Sequence, residues 1–397
     1  MLPLSEKRAI SIMSSIKKRF SEKTQKFSYQ ATLELGKDAN GNRKRDYHTF
    51  SSEADAKMFI KEADVQLYYG SFVKKSKATV KDVAEMWLTY IEGKNRKYNT
   101  IRGYTTNVNK HILPSIGEIQ IQKLQPYHIN DMIVQMQKES LSATTIKYAI
   151  RNLKQILDYA VNRQILRKSP FYDIDLPKQV PFKCNPYTTD ELRELVQASI
   201  GTDLEWVLRI EVETGLRIGE LLALKWSDID FEKNTLTVNG TVVYIPKKGC
   251  QIDTPKTVSG NRTIPVSQNL IDNLKWLKNI EKKRLKAFKK KSRIDDKTII
   301  HNKNWMPCIP SSISSRYSEF LKENNLRHIR FHDLRHTHAS LLYNEYDLNI
   351  TAIRDRLGHS RASTTMNFYV SGTSKQQLSG VEKLNIDIYS DDNNIVS

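Results

Sequence analysis

The chain has only three cysteines in 397 residues, Cys184, Cys250 and Cys308, and no CxxC pair. So few, odd in number and far apart, they exclude a disulfide framework and a cysteine zinc site. No run of apolar residues approaches the roughly 20 needed to span a bilayer. The N-terminus lacks the apolar core of a secretory signal. A cytoplasmic protein with no membrane partner is therefore expected. There is no Walker phosphate loop and no carboxylate cluster, and Gly215-Leu216-Arg217-Ile218-Gly219 is not a nucleotide fingerprint. Acidic residues are also in deficit: 44 Asp and Glu stand against 63 Lys and Arg, a formal net charge of +19. A basic excess spread along the chain suits a polyanion, because neutralising phosphates releases counterions. Charge alone leaves a basic protein without nucleic acid equally open.

The length predicts two or three domains, each able to bury its own core. Residues 16–20 and 27–33 have strand composition, Asn40-Gly41 marks a hairpin turn, and residues 43–48 form a third strand. A helix then starts at Ser51-Ser52-Glu53 and runs towards Tyr69. After a basic linker at 72–77 the pattern turns helical: Val80, Val83, Trp87, Leu88 and Ile91 share one face. A second helix is expected from Thr100 to about Leu113, closed by Pro114 and Gly117, and a third after Pro126. The fourth carries a stripe from Ile146 to Val161, with Ser142 and Thr144 as candidate caps. A proline-rich linker at 176–186 leads to Thr188-Thr189-Asp190-Glu191, a helix-capping pattern. The remainder is mostly helical, interrupted by strands at 236–238, 242–245 and 262–266. The run from Lys282 to Lys291 predicts a very basic helix, either touching phosphates or simply solvated.

The chemistry-bearing residues lie in the second half. Arg217 stands in Thr214-Gly215-Leu216-Arg217-Ile218-Gly219-Glu220-Leu221, where Gly215 permits a turn between two apolar stretches. Phe331-His332-Asp333-Leu334-Arg335-His336-Thr337-His338 places His332 and Arg335 at i, i+3, on one helical face. Leu357-Gly358-His359-Ser360 follows, and then Tyr369 in Thr364-Thr365-Met366-Asn367-Phe368-Tyr369. Arginine suits the oxygens of a phosphodiester, because its planar fork donates two hydrogen bonds and stays charged. Arg217 and Arg335 are accordingly the candidate clamp. Glu220, one turn from Arg217, either orients it or is a surface acid. Histidine has the right pKa for proton transfer, and a tyrosine near two arginines is a nucleophile whose phenolate they favour. Zinc at His332, His336 and His338 is the rival, but protease-type zinc helices need Glu where Asp333 stands. His336 and His338 are better read as packing or capping residues.

This set, in this order, resembles the tyrosine recombinases of the phage-integrase family, and the resemblance covers most of the chain. It implies a mainly α, multidomain protein. The parts would be a small α+β arm-binding-like domain at 1–70, a four-helix core-binding domain at 78–172, a catalytic domain at 187–385 and a flexible tail at 386–397. The catalytic domain would be mostly helical with a small antiparallel sheet. The resemblance gives His332 the role of assisting proton transfer from the attacking tyrosine and His359 that of hydrogen-bonding the scissile phosphate. It makes Tyr369, ten positions after His359, the nucleophile. It matches Lys256, in Asp253-Thr254-Pro255-Lys256-Thr257-Val258-Ser259-Gly260, to the hairpin lysine that acts as general acid, with Lys247 and Lys248 as alternatives.

The implied activity is site-specific recombination through a 3′-phosphotyrosyl intermediate, integrating and excising a phage genome or mobile element without metal, ATP or cofactor. The implied partners are double-stranded DNA at core and arm attachment sites and three further copies of the chain in a tetramer. An excisionase and a host DNA-bending protein are accessory partners of the same kind. The setting would be the cytoplasm of a bacterial host. A type IB topoisomerase uses similar residues but would cut arbitrary sequence without strand exchange. A regulator that has lost catalysis would lack part of the set.

Overall fold

The computed structural model describes residues 14–22, 25–37, 40–69, 71–94, 96–179, 185–254, 260–287 and 293–358. The chain divides into two compact units, Met1–Val180 and Pro181–Ser397.

The first unit opens with the antiparallel strands β1 (Ser15–Ser21), β2 (Lys26–Lys37) and β3 (Arg43–Phe50), followed by helix α1 (Glu53–Tyr68). Strand alternation gives the sheet two faces. Ala31 and Leu33 are fully buried, and Ile16 and His48 stand opposite Ala31. The His48 ring lies 4.4 Å from that of Phe59, so this face meets α1. The opposite face carries Lys17, Arg19, Gln30, Thr32, Arg45, Tyr47 and Thr49 in register. Ser52 caps α1 by accepting from the Asp55 amide.

The same unit continues with α2 (Val80–Glu92), α3 (Tyr98–Asn107), a π turn (Val108–Ile112), α4 (Leu113–Ile116), α5 (Pro126–Lys138) and α6 (Ala143–Asn162). Val80, Val83, Trp87 and Ile91 are buried as their spacing predicts, and Leu88 packs against them partly buried. From Ile146 to Ala160 the α6 stripe is buried, and Ser142 supplies the cap. Pro114 does not close the second helical stretch. Its ring would collide with the carbonyl four residues back and it lacks an N–H. The chain widens instead, the Leu113 amide bonding back to the Val108 carbonyl, and Pro114 falls in the first turn of α4, where no N–H is required. Gly117 does end the stretch; a Cβ there would fall 2.5 Å from the Leu113 carbonyl oxygen.

The second unit runs α7 (Thr189–Ser199), α8 (Glu205–Thr214), α9 (Ile218–Leu221), β4 (Ile229–Asp230), β5 (Thr235–Val238), β6 (Thr241–Ile245), β7 (Gly249–Asp253), β8 (Arg262–Pro265), α10 (Gln268–Ala287), α11 (Pro310–Glu323), α12 (Phe331–Asn344) and α13 (Ile350–Leu357). Strands β4, β5 and β8 form one antiparallel sheet, and β6 pairs with β7 as a hairpin. The short strands β4 and β7 are additions to the expected three. Gly249-Cys250-Gln251-Ile252-Asp253 has too little apolar content to show itself without its partner. Lys247 takes a left-handed backbone at φ +66° in the turn of that hairpin, and Lys247 and Lys248 are exposed.

Leu208, Leu221, Trp226, Leu274, Phe320 and Leu334 lie in the one large core of this unit. The basic stretch begins inside α10, which buries Leu274, Leu277, Glu281 and Leu285; residues 288–292 lie outside the described residues. Among the described residues no helix is long and apolar enough to cross a membrane.

Candidate active site

The turn holding Arg217 is built for close approach. Helix α8 ends at Gly215, whose backbone is left-handed at φ +60°. A Cβ at Gly215 would fall 2.6 Å from the His338 ring on α12. One at Gly219 would fall 2.5 Å from the Thr241 hydroxyl on β6. A side chain at either glycine would displace a neighbour, and the segment between them approaches α12 at one end and β6 at the other. Arg217 is the N-cap of α9. Its amide donates to Glu220 Oε2 at 3.2 Å and its Nη1 to Oε1 at 2.7 Å. Of the two readings left open for Glu220, a surface acid does not fit a residue 6% exposed and bonded to Arg217.

Glu220 is nearly buried and shared. Its Oε2 also accepts from Nη2 of Arg262, on β8, at 2.8 Å. Burial alone would raise the Glu220 pKa, but the hydrogen bond and charge of Arg262, with the charge of Arg217, hold it below the usual carboxylate value. The carboxylate therefore stays ionised between two guanidinium groups.

Helix α12 brings Arg335 to the same place. Its side chain is 1% exposed. Nη1 donates to the Gly215 carbonyl at 2.8 Å and Nη2 to the Leu357 carbonyl at 2.6 Å. Burial, and the charge of Arg217 beside it, lower its pKa to about 9, so it remains a cation at neutral pH. His332 begins the same helix. Its pKa is lowered by partial burial and by the charge of Arg335, although the residue remains exposed to solvent. A neutral ring able to accept a proton results. Its edge meets the His336 ring at 5.0 Å. Arg330 grips Asp333 with Nε at 2.9 Å and Nη2 at 2.7 Å, fixing the first turn of α12.

His336 and His338 are buried, as expected of packing residues. His338 has both nitrogens engaged: Nδ1 meets the Val212 carbonyl at 2.9 Å, and Nε2 meets Nε of Arg356 at 3.1 Å. A carbonyl only accepts and a guanidinium only donates, so the proton is on Nδ1 and the ring is neutral. Burial, with the charge of Arg356, lowers its pKa to about 3. This ring is not free to bind a metal.

The end of α13 gathers these arginines. Its last carbonyls, which no helical amide can reach, accept from three different guanidinium groups. Arg262 Nε donates to the Arg356 carbonyl at 2.6 Å, Arg335 Nη2 to that of Leu357, and Arg217 Nη2 to that of Gly358 at 3.4 Å. Gly358 is left-handed at φ +66°, the expected C-cap. The structure thus brings together Arg217, Glu220, His332 and Arg335. Lys256, His359 and Tyr369 lie outside the described residues.

Residue type and order give Arg262 no role in the sequence. A signal was present: Arg262 is in phase with buried Ile264 on β8, and an arginine on the core face of a strand needs a buried partner.

A profile of the phage integrase family matches residues 187–375, and one of the phage integrase N-terminal SAM-like domain matches residues 79–137. A tyrosine recombinase XerC-like protein of Caldanaerobacter subterraneus subsp. tengcongensis is 30% identical over 377 residues, spanning 90% of this chain and 95% of its own. The chain belongs to the phage integrase family of tyrosine recombinases. It is also similar to the ICEBs1 integrase of Bacillus subtilis, 28% identical over 267 residues, 66% of this chain and 71% of that protein. A Tn1549 transposon integrase, solved with circular-intermediate DNA, shares the fold at a TM-score of 0.65 and 23% identity, over 77% of this chain and 99% of that one. This tyrosine recombinase is a site-specific recombination enzyme. In its second unit Arg217, Glu220, His332 and Arg335 form the described part of the candidate site.

Proposed function

We propose that this recombinase integrates and excises a mobile element or phage genome by cutting DNA with Tyr369. The phenol oxygen attacks the scissile phosphorus, the bond to the 5′ oxygen breaks, and a 3′-phosphotyrosyl link forms. The phenol proton passes towards His332, and Lys256 protonates the departing 5′ oxygen. Arg217 and Arg335 hold the non-bridging oxygens, with His359 as a further donor. Glu220 orients Arg217. The ester keeps the bond energy, so rejoining to another strand consumes no nucleotide.

The observation that carries this reading is the convergence of Arg217 and Arg335 on neighbouring carbonyls, those of Gly358 and Leu357. Burial and the charge of Arg217 disfavour the charged form of Arg335, and Arg335 makes no ion pair with a carboxylate among the described residues. A phosphodiester would supply the missing negative charge. The lowered pKa of His332 supports its part, since only a neutral ring takes up a proton.

In this reading residues 1–70 bind arm-type sites through the open sheet face bearing Lys17, Arg19 and Arg45, and residues 78–172 and 187–385 bind the core site. Residues 386–397 are a tail. Four copies act on two duplexes in the bacterial cytoplasm, with an excisionase and a host DNA-bending protein as accessory factors. The ICEBs1 and Tn1549 integrases, named for mobile elements, favour this over a topoisomerase. The test is incubation with a nicked duplex carrying the attachment site. Wild type is expected to give a covalent adduct, and Tyr369→Phe to bind the DNA but give none. An undiminished adduct from the variant sinks the assignment.

A further inference from the structure

Arg262 makes a set of contacts that the proposed chemistry does not use. Its side chain is 7% exposed and its ion pair with Glu220 is the more enclosed of the two that Glu220 makes. Nη2 holds Glu220 Oε2 at 2.8 Å, Nε holds the Arg356 carbonyl at 2.6 Å, and Nη1 reaches the Gly260 carbonyl at 3.3 Å. One guanidinium therefore joins the acid that grips Arg217, the end of α13, and the chain entering β8. These are the places from which Arg217, the 359–369 segment and, six positions before Arg262, Lys256 depart along the sequence.

We propose that Arg262 is a positioning residue for strand cleavage. It fixes Glu220 so that Arg217 points at the phosphate, and it fixes the last turn of α13 at a set distance from Arg217. The inference rests on the recombination reading above. A fork is needed because the two acceptors lie on different elements; a lysine can satisfy one but not both in this geometry.

The charged groups facing Glu220 are Arg217 at the start of α9, Arg262 on β8, Arg335 on α12 and the buried Glu211 on α8. Removing Arg262 leaves Glu220 buried with its hydrogen bonds from Arg217 and with Glu211 as a like-charged neighbour when ionised. Its proton affinity then rises, and protonation releases Arg217.

The experiment is single-turnover cleavage of the nicked attachment-site duplex by the full chain, at saturating DNA, from acid to neutral pH. Arg262→Leu is expected to form adduct on the order of 100-fold more slowly, the scale of loss from small misplacement of a reacting group, with unchanged DNA affinity. Its rate should fall on the acid side at a higher pH than that of wild type. The double variant Arg262→Leu/Glu220→Gln should lose that acid limb and cleave across the whole range at about the low rate that Arg262→Leu shows on the acid side. Arg262→Lys, which keeps the charge in place and folds even where the leucine variant does not, should recover part of the rate with the wild-type pH profile.

Wild-type cleavage by Arg262→Leu overturns the proposal. So does a slowed rate with the wild-type acid limb, which would mark a merely structural part. An absence of adduct from the wild-type protein would instead overturn the recombination reading on which this rests.

Discussion

Gly215 offers a test of whether the arginine pair depends on the tight seat of its turn. Gly215→Ala meets two costs. A left-handed alanine costs about 1–2 kcal/mol, and its Cβ would stand 2.6 Å from His338 Cδ2 and 3.0 Å from Cγ. The ring cannot yield freely, because Val212 and Arg356 hold its two nitrogens. Breaking either contact leaves a buried polar group unpaired, at about 1–3 kcal/mol. The sum is about 2–5 kcal/mol. A domain of this size loses roughly 2–4 °C in Tm per kcal/mol, so a fall of about 10 °C is expected. Gly201 is the control: it has the same left-handed backbone, φ +78°, with nothing within 4 Å of its would-be Cβ. Gly201→Ala should therefore show only the conformational cost, a shift of about 3–5 °C. Differential scanning calorimetry of the full chain reads both in the endotherm of the second unit. The adduct assay should separate them as well, because the Gly215 carbonyl anchors Arg335 and Gly201 touches no part of the site. Equal thermal shifts for the two variants would refute the reasoning that the clearance to His338 matters.

Two further outcomes follow from the same geometry. Glu211 is fully buried and neither carboxyl oxygen has a hydrogen-bond partner among the described residues. Burial pushes its pKa well above the carboxylate range, with the charge of Arg335 opposing. The folded state then holds a proton that the unfolded chain releases above about pH 4.3, so this group's contribution to stability falls as pH rises from there towards its folded pKa. Glu211→Gln has no such proton, and its Tm relative to wild type should climb between pH 5 and pH 8; a constant difference across that range would contradict a protonated Glu211. For the leaving oxygen, Lys256→Ala should slow cleavage of an ordinary duplex but not of one whose leaving oxygen is replaced by sulfur, which needs little protonation. Lack of rescue moves the acid elsewhere, with Lys247 and Lys248 at the β6–β7 turn the next to substitute.

Much of this was legible in the sequence, for identifiable reasons. Apolar stripes report burial directly, which is why α2 and α6 appear where Trp87 and Leu153 demand them. Caps are equally local: Thr188 with Glu191, and Gly215 and Gly358 at helix ends, are readable because one residue satisfies the terminus or permits the turn. What could not be read depends on distant partners. Strand β7 exists because β6 lies beside it. The passage of Pro114 through a helical stretch depends on a π turn that leaves no compositional trace. Arg262 and Arg356 look like ordinary charged residues until the fold sets them against acceptors some 40 to 140 positions away, and Glu211 does so until the fold buries it. The candidate residues were found by type and order. Their mutual distances required the structure.

Arg217 and Arg335 are not equivalent, and in the proposed reading the difference bears on how DNA would load the site. Arg335 is buried, with Nη1 and Nη2 both given to carbonyls. Arg217 has 42% of its side chain exposed and a long 3.4 Å contact to Gly358. A phosphate arriving from solvent therefore meets Arg217 first and competes with a weak contact, while Arg335 contributes a fixed charge behind it. Charge in a low-dielectric place acts over a longer range than the same charge in water, so Arg335 attracts the anion before it holds an oxygen itself. The contact that gives way most easily is also the one on the carbonyl immediately before His359. On this geometry, binding of the phosphate by Arg217 would cost the contact to the Gly358 carbonyl, while Arg262 and Arg335 keep the preceding turn of α13 in place. A substitution that shortens the reach of Arg217, such as Arg217→Lys, should then weaken cleavage far more than DNA affinity, since most phosphate contacts of a +19 protein lie elsewhere.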